Sequence, residues 1–394
     1  MIKVYIGPNG YGKTTRLNEE KKALINSGIP EKEIIFLESE ILLMDEVKDT
    51  KDESKTLEFI IQELFMNSTN YTNAKATFEN QINNEIINNQ SLMNSILDDV
   101  LQINNSSRTP GKDFICSNPK IAFKNIVKIE SADIKSKTGS GQRMQLILSL
   151  IKNSNSKKYI FIDEPEKYSH PSLLHATAKM IRDLDNQGKN IFIATHSPKL
   201  LSMLDISFNN LFIINDSSHS LKTIDFNAVV NSFSFSTIGQ MKTKEQSFYN
   251  AASLENNIKS IYYRNFIECL FASKVYLCEG INDSLFIQRA LKSENKFFDD
   301  YAIFQSYGKF MLPVFEKIFS SLNISTQVFF DEDSNIATLK NVHDEIDAYL
   351  EGLSHYKFVP NIENEIGFVG QKYDSIAFIA HLDSFTFLTG KYIK

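Results

Sequence analysis

The chain is poor in cysteine, has no long apolar run and carries no excess of basic charge. Its three cysteines, Cys116, Cys269 and Cys278, are scattered without the paired spacing of a metal site. A sparse, odd set of this kind suits a reducing cytoplasm rather than a disulfide framework. No apolar run approaches the ~20 residues needed to cross a bilayer. The N-terminus leads straight into a strand-like segment, with no signal-peptide pattern. A cytoplasmic location without membrane attachment is the expectation. The formal net charge of −6 argues against a uniformly basic nucleic-acid binder. A local basic groove or metal-bridged phosphate contacts are still compatible with it. No internal repeat is visible.

What is present is more specific. The 394 residues are 42% hydrophobic and 23% charged, enough for two or three domains with proper cores. Near the start, Gly7-Pro8-Asn9-Gly10-Tyr11-Gly12-Lys13-Thr14-Thr15 fits the phosphate-binding P-loop. Glycines at positions 7, 10 and 12 let the backbone turn tightly and point N–H groups at phosphate oxygens. Lys13 is placed to reach the β- and γ-phosphates of a nucleotide, and the Thr14 hydroxyl to sit on Mg²⁺. The apolar run Ile2 to Ile6 reads as a buried strand, and Thr14 to Ile25 as a helix whose N-terminus faces the anion.

Beyond Glu33 to Leu37, a second strand, the character changes. Residues of about 40–136 hold helical-period segments such as Thr56–Met66 and Ile82–Leu101 between Asn/Ser-rich turns. They read as a helical insertion, with a short hairpin near Lys120–Ile129. Strand–helix rhythm then returns: a helix over Gly141–Ile151, strand Lys158–Ile162, helix Pro171–Asp185 ending near Gly188, and strand Asn190–Thr195. This order gives a parallel sheet with crossover helices. Shorter strands at Asn210–Ile214 and Ser220–Asp225 close a first domain, 1–230. Residues 231–271 read as a connector. Lys274–Cys278, Ser284–Ser293, Tyr301–Phe304, Phe310–Ser321 and Gln327–Phe330 then form a second α/β unit, 272–394, expected to have its own core.

Two acidic strand ends carry the chemistry. Asp163 and Glu164 end one apolar strand, at the edge where ligands bind in such sheets. Asp163 would hold Mg²⁺, and Glu164 would orient and polarise an attacking water. His196 ends the next strand, within reach of a γ-phosphate. Ser140-Gly141-Gln142 opens a helix after a Gly-rich turn and can bind phosphate. Together these segments resemble an ABC-type ATPase of the SMC, RecF and OLD kind. In that resemblance Gly7 to Thr14 is Walker A, Ser140-Gly141-Gln142 the signature, Asp163-Glu164 Walker B and His196 the switch histidine. It also implies a homodimer or larger even assembly, because the signature of one subunit completes the ATP site of the other. Glu164-Pro165-Glu166 with His170-Pro171 is similar to the variant seen in OLD and related ATPases.

In the second unit, Glu279 stands at a strand end and Asp283 at the next helix start. Asp331-Glu332-Asp333 follows a further strand, and Asp331 and Asp333 face the same way if extended. Carboxylates brought together at neighbouring strand ends repel one another unless a cation sits among them, and Mg²⁺ accepts such oxygen ligands. The pattern resembles a Toprim domain. The chain as a whole resembles the OLD (overcoming lysogenization defect) family, an ABC-type P-loop ATPase domain with a helical insertion followed by a Toprim α/β domain. Arg264 to Ala272 and Tyr307-Gly308-Lys309 share the likeness. Glu363, with Glu365 as its rival, resembles the late metal ligand, and Lys372 the late catalytic lysine.

The resemblance implies an ATP-regulated, Mg²⁺-dependent endonuclease, with Mn²⁺ as a substitute at the Toprim site. Glu279, Asp283, Asp331, Asp333 and Glu363 would hold metal, and Lys372 would neutralise the phosphate. DNA is favoured over RNA as substrate. A role in defence against phage, beside a co-encoded partner protein, is implied by resemblance alone. The rival class is a sensor or scaffold ATPase of a defence complex whose Toprim domain acts only with a partner or on RNA. A repair ATPase of the RecF kind would lack the Toprim acids.

Overall fold

The computed structural model describes residues 1–38 except Asn9, scattered helical residues between 73 and 85 and between 144 and 152, and then 156–167, 171–215, 220–296, 300–332, 340–370 and 375–393. Asn9, Ser140-Gly141-Gln142, Asp333, Lys372, the hairpin near Lys120–Ile129 and most of the helical insertion lie outside the described residues.

Five parallel strands form the first sheet: β1 (Ile2–Ile6), β2 (Ile34–Leu37), β3 (Tyr159–Asp163), β4 (Asn190–Thr195) and β5 (Leu211–Ile213). Their spatial order is β2-β3-β4-β1-β5. Helices cover both faces, so the central strands are continuous apolar runs instead of alternating ones. Val4, Tyr5, Ile6, Ile160, Phe161 and Ile162 are all fully buried. The helix Lys13–Asn26 lays Leu17 on one face, against Tyr5, Phe161 and Phe192. The helix Pro171–Asn186 lays Leu174, Ala178, Ile181 and Leu184 on the other. It stops at Gly188, whose φ of 78° only glycine adopts readily. The strand expected at Ser220–Asp225 is one antiparallel bridge between Ile213 and Lys222. Its apolar residues are too few to extend a ladder.

The second sheet is also all parallel, in the order β7-β6-β8-β9. Its strands are β6 (Lys274–Cys278), β7 (Tyr301–Gln305), β8 (Ser325–Asp331) and β9 (His355–Phe358). Helices Ile281–Ser293, Leu312–Ser321 and Lys340–Glu351 make the crossovers.

The core arrangement differs from expectation. One face of the second sheet has a core of its own, built on Tyr276, Phe286, Phe329, Phe358 and Tyr392. The other face shares a continuous core with the first unit, running from Ile2 and Leu201 through Phe208, Phe266 and Phe304 to Phe319. The physical reason lies in the connector. Its helices Ala251–Asn257 and Tyr263–Cys269, joined by a π-helical turn at Ile258–Tyr262, bury Leu254, Ile258, Tyr262, Phe266 and Ile267 between the two sheets. Residues 231–271 are therefore packing, not a spacer.

A carboxylate fastens the start of this connector. Glu345 accepts hydrogen bonds from the N–H groups of Ser236 (2.8 Å) and Thr237 (3.0 Å) and from both hydroxyls, at 3.2 and 2.6 Å. Burial works against its charge, but the bonds from Thr237 and Ser236 outweigh it and hold the carboxyl below its usual range. A depressed folded-state pKa stabilises above the unfolded value of about 4.3 and is lost as pH falls through the folded value. Glu345→Gln should cost about 1–3 kcal/mol at pH 7 in urea unfolding. The difference from wild type should shrink as pH drops below 4. A difference that stays constant down to pH 3 would contradict the charge-based account.

Candidate functional site

The chemistry of the first sheet collects where β1, β3 and β4 end side by side. Register pairs Ile6 with Thr195 and Asp163 with Ala194, so the segments after these strands emerge together. After β1, the chain turns at Gly7. A Cβ there would lie 2.2 Å from the Ile214 carbonyl oxygen, so the position admits only glycine. Gly12, with φ 85°, caps the helix Lys13–Asn26 and turns its N-terminus into the loop. Lys13 is buried, and its ammonium donates to the carbonyls of Gly7 (2.9 Å) and Pro8 (3.0 Å). Burial pulls its pKa down, against the nearby charges of Glu164, Asp163 and Glu166.

Thr14 donates its hydroxyl to Asp163 Oδ2 at 2.9 Å. Asp163 is also buried, and burial raises its pKa although Thr14 and Lys13 oppose the shift. Its second oxygen, Oδ1, is buried with no hydrogen-bond partner among the described residues. An orphaned carboxylate oxygen beside a threonine hydroxyl is a donor set that suits Mg²⁺. Glu164 has a positive φ of 49°, unusual for a non-glycine residue. Its carboxylate meets His196 Nδ1 at 3.3 Å and Lys167 at 3.3 Å.

Glu166 had no assigned role in the sequence, yet it organises this edge. Its Oε1 accepts from the Thr195 hydroxyl (2.7 Å) and the His196 N–H (2.9 Å). Its place in the Glu164-Pro165-Glu166 pattern was the available signal. Of the expected residues, the structure thus brings Gly12, Lys13, Thr14, Asp163, Glu164 and His196 to one edge.

The second site lies at the carboxyl ends of β6 and β8, which are neighbours. Glu279 follows β6, and its Oε1 accepts the Asp331 N–H at 3.2 Å. Asp331, the last residue of β8, is buried and accepts the Ile362 N–H at 3.0 Å. Asp283 caps its own helix by accepting the Gly280 N–H at 2.8 Å. Glu363 meets the Asn282 amide at 3.5 Å, which places it beside the helix start that carries Asp283. Glu365 is engaged elsewhere, by Lys391 at 2.5 Å and the Tyr356 hydroxyl at 2.8 Å. Among the described residues, no three acidic, histidine or cysteine side chains gather into a ready metal cage. Each carboxylate instead holds a backbone N–H or an amide. The donors are all oxygen, which fits a hard cation that keeps several waters and takes one or two carboxylates.

Lys309 gives this edge its fixed positive charge. It is buried, and its ammonium donates to the carbonyl of Asp331 (2.6 Å) and pairs with Asp347 at 2.5 Å. Burial raises the Asp347 pKa although Lys309 and Lys357 oppose it. Sequence likeness singled out Lys309 but not this role, because the contact spans 22 residues.

These features define an α/β protein of two parallel sheets with its polar chemistry on their carboxyl edges. Residues 270–333 match the family described as Overcoming lysogenization defect protein-like, TOPRIM domain. The chain is 27% identical over 217 residues to the Old nuclease of Escherichia phage P2, across 51% of this chain and 34% of that protein. It is 33% identical over 67 residues to the uncharacterized protein MJECL11 of Methanocaldococcus jannaschii, across 17% of this chain and 59% of that one. It thus spans about a third of the length of the first of these curated relatives. The crystal structure of Stu0660 of Streptococcus thermophilus overlays with a TM-score of 0.36 at 12% identity, over 66% of this chain and 80% of that one. Its second unit thus carries an OLD-like TOPRIM domain, and the chain is similar to the Old nuclease over about half its length.

The loop glycines give a direct test of the first edge. Gly7→Ala meets the Ile214 carbonyl and should cost more than about 3 kcal/mol. Gly10→Ala, with φ 84° but nothing within 4 Å, should cost only the ~1–2 kcal/mol of left-handed strain. Equal losses in urea unfolding would show that the loop is not seated against Ile214.

Proposed function

We propose that the chain is an ATP-regulated, divalent-metal-dependent nuclease that cuts nucleic acid, DNA in preference to RNA, in defence against phage. The observation that carries this reading is the pair Glu279 and Asp331, joined at neighbouring strand ends inside the matched TOPRIM segment. The P2 relative is a nuclease by name, which supports the same reaction class.

At the first edge, Lys13, which rests on the Gly7 and Pro8 carbonyls, would hold the β- and γ-phosphates of ATP, with the helix N-terminus toward the same charge. Thr14 and Asp163 hold Mg²⁺. Glu164 orients the attacking water, and His196 contacts the γ-phosphate from a backbone position that Glu166 fixes. Asn9 and Thr15 complete the loop. By the resemblance, Ser140, Gly141 and Gln142 would complete the ATP site of a second copy, and the working form would be a homodimer or larger even assembly.

At the second edge, Glu279, Asp283, Asp331, Asp333 and Glu363 supply the oxygen ligands. A divalent ion held by these residues would supply an acidified water and charge to offset the phosphate, Mg²⁺ and Mn²⁺ both suiting oxygen donors. Lys309 holds the Asp331 carbonyl and so sets where the strand end points. Lys372 neutralises the scissile phosphate. A co-encoded partner protein fits the defence role.

Asp331→Asn separates the two activities. The amide oxygen keeps the bond to the Ile362 N–H, while the charge that holds metal is lost. Cleavage of plasmid DNA in Mg²⁺ should fall by at least about a hundredfold, with ATP hydrolysis retained. Glu164→Gln should do the reverse to hydrolysis, slowing it while nucleotide still binds, and Lys13→Ala should weaken nucleotide binding itself. An Asp331→Asn protein that cuts at the wild-type rate would remove the second edge from the reaction.

A further inference from the structure

Tyr307 is an unusual residue in an unusual place. It is a large aromatic residue, 62% exposed, two residues past the end of β7. Its φ of 55° lies in the left-handed region that favours glycine or asparagine. A bulky side chain in that conformation is strained, and such strain clusters at binding and catalytic sites. The ring is nonetheless held. It stacks on Tyr262 with centroids 5.7 Å apart and planes 26° apart. Tyr262 is buried, and its hydroxyl is fixed by the Ser306 carbonyl at 2.5 Å. It ends the π-helical turn Ile258–Tyr262, a geometry also concentrated at functional sites.

The platform stands beside the acids. β7 and β6 are neighbours in register, Gln305 opposite Cys278. The next residue, Ser306, donates its N–H to the Cys278 carbonyl at 2.9 Å, and its hydroxyl lies between the carbonyls of Gly308 (2.9 Å) and Cys278 (3.1 Å). Cys278 directly precedes Glu279, and Ser306 directly precedes Tyr307. The exposed ring is therefore anchored to the same carbonyl that leads into the strand-end acid.

We propose that the open face of Tyr307 stacks on a nucleobase flanking the scissile phosphate, so that this site takes nucleic acid with an unpaired base at the cut: a single strand, a frayed end or a flap. The inference rests on the nuclease reading above. A base within a duplex is stacked on both sides and offers no free face. An unpaired base does, and aromatic stacking of this kind accepts any base and either sugar. The buried Tyr262 beneath it removes the entropic cost of ordering the upper ring.

The test uses the full chain and single-stranded oligonucleotides carrying 2-aminopurine, in DNA and RNA versions, with Ca²⁺ to allow binding without cleavage. Wild type should quench the 2-aminopurine fluorescence and bind the single strand more tightly than the matching duplex. Tyr307→Phe should retain both properties. Tyr307→Ala should lose the quenching and about tenfold in affinity. Tyr307→Gly, which suits the backbone conformation, should show the same loss while melting no lower than wild type. The DNA and RNA versions show which sugar the site accepts. Unchanged quenching and affinity in both Tyr307→Ala and Tyr307→Gly, with wild type binding normally, would overturn the stacking role alone. Wild type that binds neither oligonucleotide nor duplex would overturn the nuclease reading beneath it.

Discussion

Parallel pairing is the constraint on which the molecule depends. Strands that run the same way end on the same edge, so residues far apart in the chain become neighbours there. Thr14 and Asp163 meet across 149 positions because β1, β4 and β3 lie side by side. Glu279 and Asp331 meet across 52 because β6 and β8 do. In both sheets the apolar strand bodies supply the burial, and carboxylates come at the last strand position, as Asp163 and Asp331 do, or just beyond it, as Glu164 and Glu279 do. The same burial shifts the groups that follow, raising Asp163 and lowering Lys13. The first edge thus has charged groups held at a cost, with one carboxylate oxygen left over for a cation.

The two edges are not independent modules on a string. The connector fills the space between the sheets with Leu254, Tyr262, Phe266 and their neighbours, and the apolar core runs through it. Asn215, just past β5, donates its amide to the Leu322 carbonyl of the second unit at 3.2 Å. Glu345, from the second unit, holds the connector's start. Close-packed interiors transmit displacement because they have few voids to absorb it. A change at the edge that carries Lys13 and Asp163 therefore has a packed route toward the acidic edge, through the face of the second sheet that joins the common core.

Much of this was legible in the sequence. Runs such as Ile160 to Ile162 and Val275 to Cys278, bounded by turn or acidic residues, announce buried parallel strands. Asn190–Thr195 and Lys274–Cys278 were read with the bounds the structure has. The strand β9, His355–Phe358, was not read, because its polar residues His355 and Lys357 hide an edge strand held mainly by Phe358. The shared core was missed for another reason. A local pattern shows that a face is apolar, but not which partner covers it. Glu166 and Lys309 escaped assignment likewise, since their contacts join residues 29 and 22 positions apart. Asp283 was legible both as a cap and as a metal acid, and the structure shows the bond that makes it the cap.

The most direct test of ATP control over cleavage compares one protein in three nucleotide states. Initial rates of DNA cleavage in Mg²⁺ would be measured without nucleotide, with ATP and with a non-hydrolysable analogue. The account predicts different rates between the states, with the analogue holding one of them. Equal rates in all three, from a preparation that hydrolyses ATP and cuts DNA, would contradict it.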